Sequence, residues 1–449
     1  MSQSRATIFL LLVICVCQAL IWSTSAAPLY SATAIQTIPN SVPLNRLFGG
    51  IYNISELAEN VDMIYLHLEH YGIPWNLFTE TSTPFDYWDW TKSMEGFAAA
   101  YEPYRNSKPL MLGAVMSRGT LSTQATLGVS GVLELEDNWF QDCPDLWYYS
   151  QYAQAYSVYI SYLIKTFKPQ YICMGVEISA HLKKCGTLHW NETVSAYNYA
   201  YDYAKTTAAN LNITVELFPS FILNDLYDEQ LTGYNQTQWD LLSMLKRDRL
   251  GVSAYPQGTA QNDASKLPAD YFTRLAKINN ETLIIAETGW NSDDIVVKGE
   301  SCDVFLEGSV SSQAAYMQKL GELSVDAEIV VWWSSRDLMP AEVMTNCYEG
   351  SCGSDIWCQY VQYYRSQLGG VLGDLSFKVF GTMGFTDYDG HIKAESFAQW
   401  NKLRGINDNT PTTGTTPSTS SQPIAKNSGF EVRSPIFSLL VFVFVVLYL

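Results

Sequence analysis

Strand-like and helix-like segments alternate eight times along this chain, a rhythm that few architectures satisfy. Apolar, β-branched or aromatic runs occupy residues 29–38, 61–68, 109–116, 170–178, 213–221, 249–255, 282–287 and 328–333. Helical patterning separates most of them, most clearly over 149–167, 193–211, 236–246, 271–278 and 311–323. Such alternation builds a parallel sheet with helices outside it. The runs are almost continuously apolar, as strands buried on both faces must be. Eight units in a chain of 449 residues predict an α/β fold, a (β/α)8 TIM barrel with long loops at its C-terminal face. An open doubly wound sheet fits less well, because no Gly-x-Gly-x-x-Gly turn follows the first run. No period of 20–50 residues repeats, which argues against a solenoid.

Long insertions follow the third, seventh and eighth runs, at 118–147, 291–309 and 337–355. In a barrel all three emerge at the face where active sites are built. Cys302, Cys347 and Cys352 fall on neighbouring loops there, so their bridges are expected to stiffen a rim. Cys143, Cys185 and Cys358 also lie in loops or at loop edges, whereas Cys173 sits inside a strand-like run and reads as the unpaired thiol. Six cysteines allow fifteen connectivities, and spacing does not choose among them.

The two ends read as addresses. Arg5 precedes an apolar run over 8–22 and then small residues to Ala27, the pattern of a secretory signal cleaved near Ala26. Asn427-Ser428-Gly429, a polar spacer to Pro435 and a charge-free apolar tail over 436–449 match a glycosylphosphatidylinositol (GPI) attachment signal. Both apolar stretches fall short of the roughly 20 residues of a spanning helix. The expected organisation is a signal peptide (1–26), a barrel (27–405), a Ser/Thr/Pro-rich stalk (406–427) and a removed anchor signal (428–449). Asn53, Asn191, Asn212, Asn235 and Asn280 each open an N-glycosylation sequon, in keeping with passage through the secretory route.

A formal charge of −18 argues against nucleic acid and against an anionic membrane surface as partners. No Cys-x-x-Cys pair or His-rich tract suggests zinc. His67 and His70 lie on opposite faces of their run, which disfavours a metal site there. Neither a cofactor nor a metal is expected, and the membrane is expected to be met only through a lipid anchor on a monomer.

Two carboxylates stand out. Glu177 ends the fourth run and Glu287 the seventh. An unpaired charge at the end of an apolar barrel strand costs several kcal/mol and has little structural use. Across a barrel mouth, two such groups suit a proton donor of raised pKa and a nucleophile or base, the apparatus of glycoside hydrolysis.

Here the sequence resembles a family. Glu287-Thr288-Gly289-Trp290 resembles the nucleophile motif of clan A glycoside hydrolases, notably the endo-β-1,4-galactanase and β-1,3-glucanase families, and Gly175-Val176-Glu177 resembles their acid/base motif. Tyr255 is similar to the Tyr that contacts the nucleophile, and Trp332-Trp333 to the Trp that floors the central sugar subsite. Residues 384–393 resemble the closing loop before the last helix. The resemblance spans the second to the eighth run. It implies retention through a covalent glycosyl-enzyme, with Glu177 as acid/base and Glu287 as nucleophile. Most clan members carry Asn before the acid/base, where this chain has Val176.

Substrate contacts are expected from Tyr255, Trp332, Trp333 and Trp290, and from His67 and Arg118 near the mouth. Trp75, Trp88, Trp90 and Trp139 are candidates for sugar platforms or for core packing, and Arg336 for bracing the mouth. The expectation is a cell-surface, GPI-anchored, retaining β-glycoside hydrolase acting on an extracellular polysaccharide or glycan. The competing reading is a catalytically silent barrel that binds glycans or a partner protein, and Val176 is the feature that favours it.

Overall fold

A computed structural model describes residues 29–35, 54–67, 88–114, 148–227, 231, 233–259 and 262–406. The segments read above as signal, stalk and anchor signal and the insertion 118–147 lie outside the described residues, as do Arg118, His70, Trp75 and Trp139.

All eight expected runs form parallel strands: β1 (Leu29–Ile35), β2 (Met63–His67), β3 (Leu110–Ala114), β4 (Tyr171–Met174), β5 (Glu216–Phe218), β6 (Ser220–Ile222), β7 (Leu250–Ala254), β8 (Leu283–Thr288) and, after a hairpin of β9 (Asp293–Lys298) and β10 (Cys302–Ser309), β11 (Ala327–Trp332). The hydrogen-bonded order is β5-β4-β3-β2-β1-β11-β8-β7-β6. Its two end strands are successive pieces of one run. Glu216–Phe218 pairs with β4 on one side, and Ser220–Ile222 pairs with β7 on the other. Between them stands Pro219, which has no N–H to give to a ladder. The ring of eight runs therefore returns on itself through residues 216–222, with the ladder interrupted at the proline. The architecture is the α/β barrel expected from the alternation.

Side chains divide as the strand period requires. Met63, Tyr65, Met111, Cys173, Val176, Phe218, Ile284, Ala286, Ile329 and Val331 fill the barrel interior. The alternate positions, such as Ile64, Leu112, Ile285 and Val330, meet the surrounding helices. At the N-terminal end the barrel is closed by ions: Arg249 binds Glu328 at 2.5 Å and Glu216 at 3.4 Å, and the Tyr171 hydroxyl donates to Glu328 at 2.8 Å. Polar residues at that face read as stabilising, which leaves the opposite face for chemistry.

The expected helix over 193–211 begins earlier, at Ser179. Gly186, with φ 72°, breaks this stretch into two helices that period counting does not join. The helix after the hairpin, Val310–Leu323, is fixed by a reciprocal capping box between Ser309 and Ser312. Disulfides join Cys302 to Cys347 and Cys352 to Cys358, Cys185 is also disulfide-bonded, and Cys173 is a buried free thiol. The first bridge ties the hairpin after β8 to the loop after β11, so it does stiffen a rim.

Candidate active site

Glu287 reaches the barrel mouth through an irregularity in β8. Ile284 and Ala286 point into the barrel, so strict alternation would turn residue 287 outward. The ladders slip instead. Val252 pairs with Ile285 but Ser253 with Glu287, and Val330 pairs with Ile285 but Trp332 with Thr288. Both neighbours see one extra residue in β8, the signature of a bulge, which re-aims a side chain. Glu287 turns inward. Thr288 takes the outward place, its hydroxyl 2.7 Å from the Ala254 carbonyl and 2.5 Å from the Tyr316 hydroxyl.

Two groups then hold the Glu287 carboxylate. Tyr255, just past β7, donates its hydroxyl to Oε2 at 2.9 Å, and His67 Nε2, at the end of β2, lies 3.1 Å from Oε1. With Glu287 ionised, His67 carries its proton on Nε2 and donates it. The ring fits because position 113 on β3 is glycine. A Cβ there would meet His67 Nε2 at 2.9 Å and the Tyr65 hydroxyl at 2.8 Å. Trp333 stands edge-on to His67 with centroids 5.5 Å apart, and Phe380 packs against both Trp333 and Tyr255.

Glu177 has the opposite surroundings. It follows two departures from strand geometry, Gly175 at φ 74° and Glu177 itself at φ 50°. A left-handed non-glycine residue costs about 1–3 kcal/mol and persists only where neighbours impose it. Its side chain is fully buried, and neither carboxyl oxygen has a hydrogen bond of good geometry among the described residues. Burial first, then the negative charges of Glu287 and Asp225, drive its pKa well above the usual carboxylate range, and the Ser253 hydroxyl offsets this only in part. Burial thus drives one carboxyl toward its neutral form while its neighbour is held by donors. Such a contrast suits a proton donor and a nucleophile of the same residue type.

Trp332 is fully buried and faces outward, donating its indole N–H to the Met383 carbonyl at 2.7 Å and packing on Tyr316. Trp290 also lies against Tyr316, with centroids 5.0 Å apart. Both rings thus pack on Tyr316 of the helix Val310–Leu323, and Trp332 lies on the outer face of β11. Interior positions on β11 are Ile329 and Val331, so the next inward residue is Trp333, which does face the mouth. The Arg336 guanidinium donates to the Tyr388 carbonyl at 2.7–3.0 Å and so anchors the loop 384–393. Val176 belongs to the apolar barrel interior and offers the mouth no polar group.

Sequence reasoning did not find Ser220, Ser253, Asp225 or Phe380. The first three are short polar residues at or just past strand ends, a faint signal. Phe380 has none, since it arrives from outside the strands. A groove of about 450 Å3 lies among the helices, lined by Leu182, Lys183, Asn224, Asp225, Asn235 and Leu241 among others, with Lys183 and Asp225 paired at 2.8 Å; neither carboxylate of the mouth lines it. Cys302, Cys347 and Glu349 cluster closely enough to suggest a metal, but the two sulfurs are spent on a disulfide.

No protein-family model matches the chain, and no curated protein matches it in sequence. Solved structures do resemble it. A GH5_18 variant from Streptomyces cattleya, in complex with Manβ1-4GlcNAc, matches with a TM-score of 0.51 at 13% identity, over 86% of this chain and 82% of that one. GH5_18 from the same organism in complex with GlcNAc matches with a TM-score of 0.50 at 12% identity, over 86% and 82%. A GH5_18 variant from Bifidobacterium longum, again with Manβ1-4GlcNAc, gives 0.50 at 12% identity, over 85% and 79%. At such identities the likeness establishes the barrel fold that these proteins share with this chain.

Proposed function

We propose that this protein is a retaining β-glycoside hydrolase displayed at the cell surface on a lipid anchor, acting on an extracellular polysaccharide or glycan. The observation that carries the reading is the contrast between the carboxyls of Glu177 and Glu287 at one barrel mouth. Glu287, ionised and oriented by His67 and Tyr255, attacks the anomeric carbon. Glu177 gives its proton to the departing glycosidic oxygen, and a glycosyl ester of Glu287 forms. Esterification removes the Glu287 charge, one of the causes that hold the Glu177 proton in place, so the pKa of Glu177 falls. The carboxylate left on Glu177 then draws a proton from water, which releases the sugar with its configuration kept. Trp333 is the aromatic floor of the central sugar.

A mechanism-based 2-fluoro glycoside tests this. The expected result is a single covalent adduct on the peptide carrying Glu287, with carboxyl groups about 5–5.5 Å apart in a crystal structure of the adduct. Inverted product, or labelling elsewhere with a separation near 9 Å, would reject retention.

The silent-barrel reading is favoured by Val176. Hydrogen bonds to the sugar 2-hydroxyl contribute several kcal/mol in glycosidases, and Val supplies none. His67, Arg118 and Tyr255 are the groups proposed to take that hydroxyl instead, and of these His67 and Tyr255 hold Glu287 at the mouth. If a broad panel of β-glycosides is untouched, the binding reading replaces the enzyme.

The anchor belongs to the same proposal. It is supported by the polar spacer and charge-free tail at 430–449. Treatment of intact cells with phosphatidylinositol-specific phospholipase C is expected to release the protein, and recovery of mature peptides beyond Gly429 would overturn it.

A further inference from the structure

The backbone that carries Glu177 is stitched to a single residue of the neighbouring strand. The Ser220 N–H donates to the Gly175 carbonyl at 3.3 Å, and the Ser220 carbonyl accepts from the Ile178 N–H at 3.1 Å. Its hydroxyl accepts from the Glu177 N–H at 2.8 Å. Three groups of one fully buried serine thus hold residues 175–178, in which Gly175 and Glu177 both adopt left-handed backbone. Pro219 creates the arrangement. The ladder with β4 ends before it, and the next residue bonds to the turn beyond β4 instead.

A second serine stands behind the first. The Ser253 hydroxyl reaches the Ser220 hydroxyl at 3.5 Å, and Ser253 lies in register with Glu287 on β8. The two hydroxyls therefore lie between the strand that carries one carboxylate and the turn that carries the other. Ser253 has one proton and two acceptors within its range, Ser220 and the Glu177 carboxyl.

We propose that Ser220 is a positioning residue for the proton donor: its hydroxyl and carbonyl hold Glu177 in the left-handed conformation that aims its carboxyl into the barrel mouth, with Ser253 supporting that hydroxyl. The proposal rests on the glycosidase reading of the site. Alanine at 220 keeps the backbone bonds but leaves the Glu177 N–H without an acceptor in a buried place. The strained φ then loses its restraint, and the carboxyl swings out of line with the leaving oxygen.

Leaving groups separate this role from a merely structural one. A dinitrophenyl glycoside departs with little protonation, whereas a glycoside of an ordinary sugar alcohol needs the acid. For Ser220→Ala, kcat/KM on the sugar-alcohol glycoside is expected to fall roughly 10- to 100-fold, with kcat/KM on the dinitrophenyl glycoside, which reports the first step alone, nearly unchanged. Ser220→Thr, which keeps the hydroxyl, restores most of the loss. Ser253→Ala is expected to shift the Glu177 titration upward, seen in the carboxyl carbon-13 signal that vanishes in Glu177→Gln. Equal losses on both glycosides, or none, would overturn the positioning role. Should wild type hydrolyse neither glycoside, the glycosidase reading fails separately and the carbon-13 titration still decides: a Glu177 signal unmoved in Ser220→Ala overturns the proposal, and one moved there but not in Ser220→Thr upholds the positioning of Glu177.

Discussion

Glu287→Gln is expected to lower kcat/KM on any β-glycoside the protein hydrolyses by on the order of 10^4–10^6, because removal of a nucleophile commonly costs that much. Gln is nearly isosteric, and its one amide oxygen can still accept from either Tyr255 or His67, so the fold and sugar affinity should largely survive. Added formate, small enough to occupy the vacated carboxylate position in Glu287→Ala, should restore part of the turnover. Glu177→Gln behaves differently: kcat/KM falls severely only where the leaving group needs a proton, while kcat falls on every glycoside because the second step loses its base. The sign of the pH response follows from the same site. A carboxyl with a raised pKa donates while protonated, so activity is lost as pH rises through that pKa. Asp225→Asn removes one of the charges that raise it, which stabilises the Glu177 carboxylate. The basic limb should therefore move to lower pH in Asp225→Asn. A Glu287→Gln variant that keeps a tenth of wild-type turnover, or a basic limb that moves upward, would contradict the assignment.

The largest effect on stability is expected at Lys393, far along the chain from either carboxylate. Its ammonium group lies 2.7 Å from Asp337 Oδ1 and 2.7 Å from the Ser292 hydroxyl, with the Gly384 carbonyl at 3.0 Å. It thereby pins the loop after β8 and the loop after β11 to the segment 382–393. Asp337 is almost fully buried and also accepts from the Gly384 N–H at 2.8 Å. Burial pushes its pKa up to about 7 in spite of the adjacent ammonium. Lys393→Met leaves that carboxyl buried without its counter-ion and should cost about 3–5 kcal/mol, read from urea unfolding. The folded-state pKa lies above the unfolded value, so ionising Asp337 opposes folding as pH rises through that interval. Without Lys393 the pKa climbs further, and the loss should be larger at pH 8 than at pH 6. The double variant with Asp337→Leu should recover most of it, since a matched apolar pair does not carry the desolvation penalty. A loss under about 1 kcal/mol would show that the pair is not the fastening described.

The eight strands were legible because each is a local pattern: a short apolar run between turn residues needs no knowledge of its partners. Glu177 and Glu287 were legible for a related reason, since a charge that closes such a run contradicts its surroundings wherever the run is placed. The free thiol of Cys173 could be read in the same way, from its seat inside a strand. Which side chains face the mouth could not. Glu287 points inward only because β8 carries a bulge, and Trp332 turns away while Trp333 turns in because of where β11 settles beside it. One residue of slip exchanges the two faces of a strand, so no local pattern fixes that choice. The partner of Glu287 is equally hidden: His67 stands 220 residues earlier, and only barrel closure brings the two within 3.1 Å. Pro219 could be seen in the sequence, but not that it would divert Ser220 from the ladder to the turn beneath Glu177. Local composition determined the elements and singled out the two candidate carboxyls, because burial of an apolar run is favourable in any register. Register between distant segments decided the aim, donors and charge state of those groups, because hydrogen bonds and electrostatic interactions act only at the distances that packing sets.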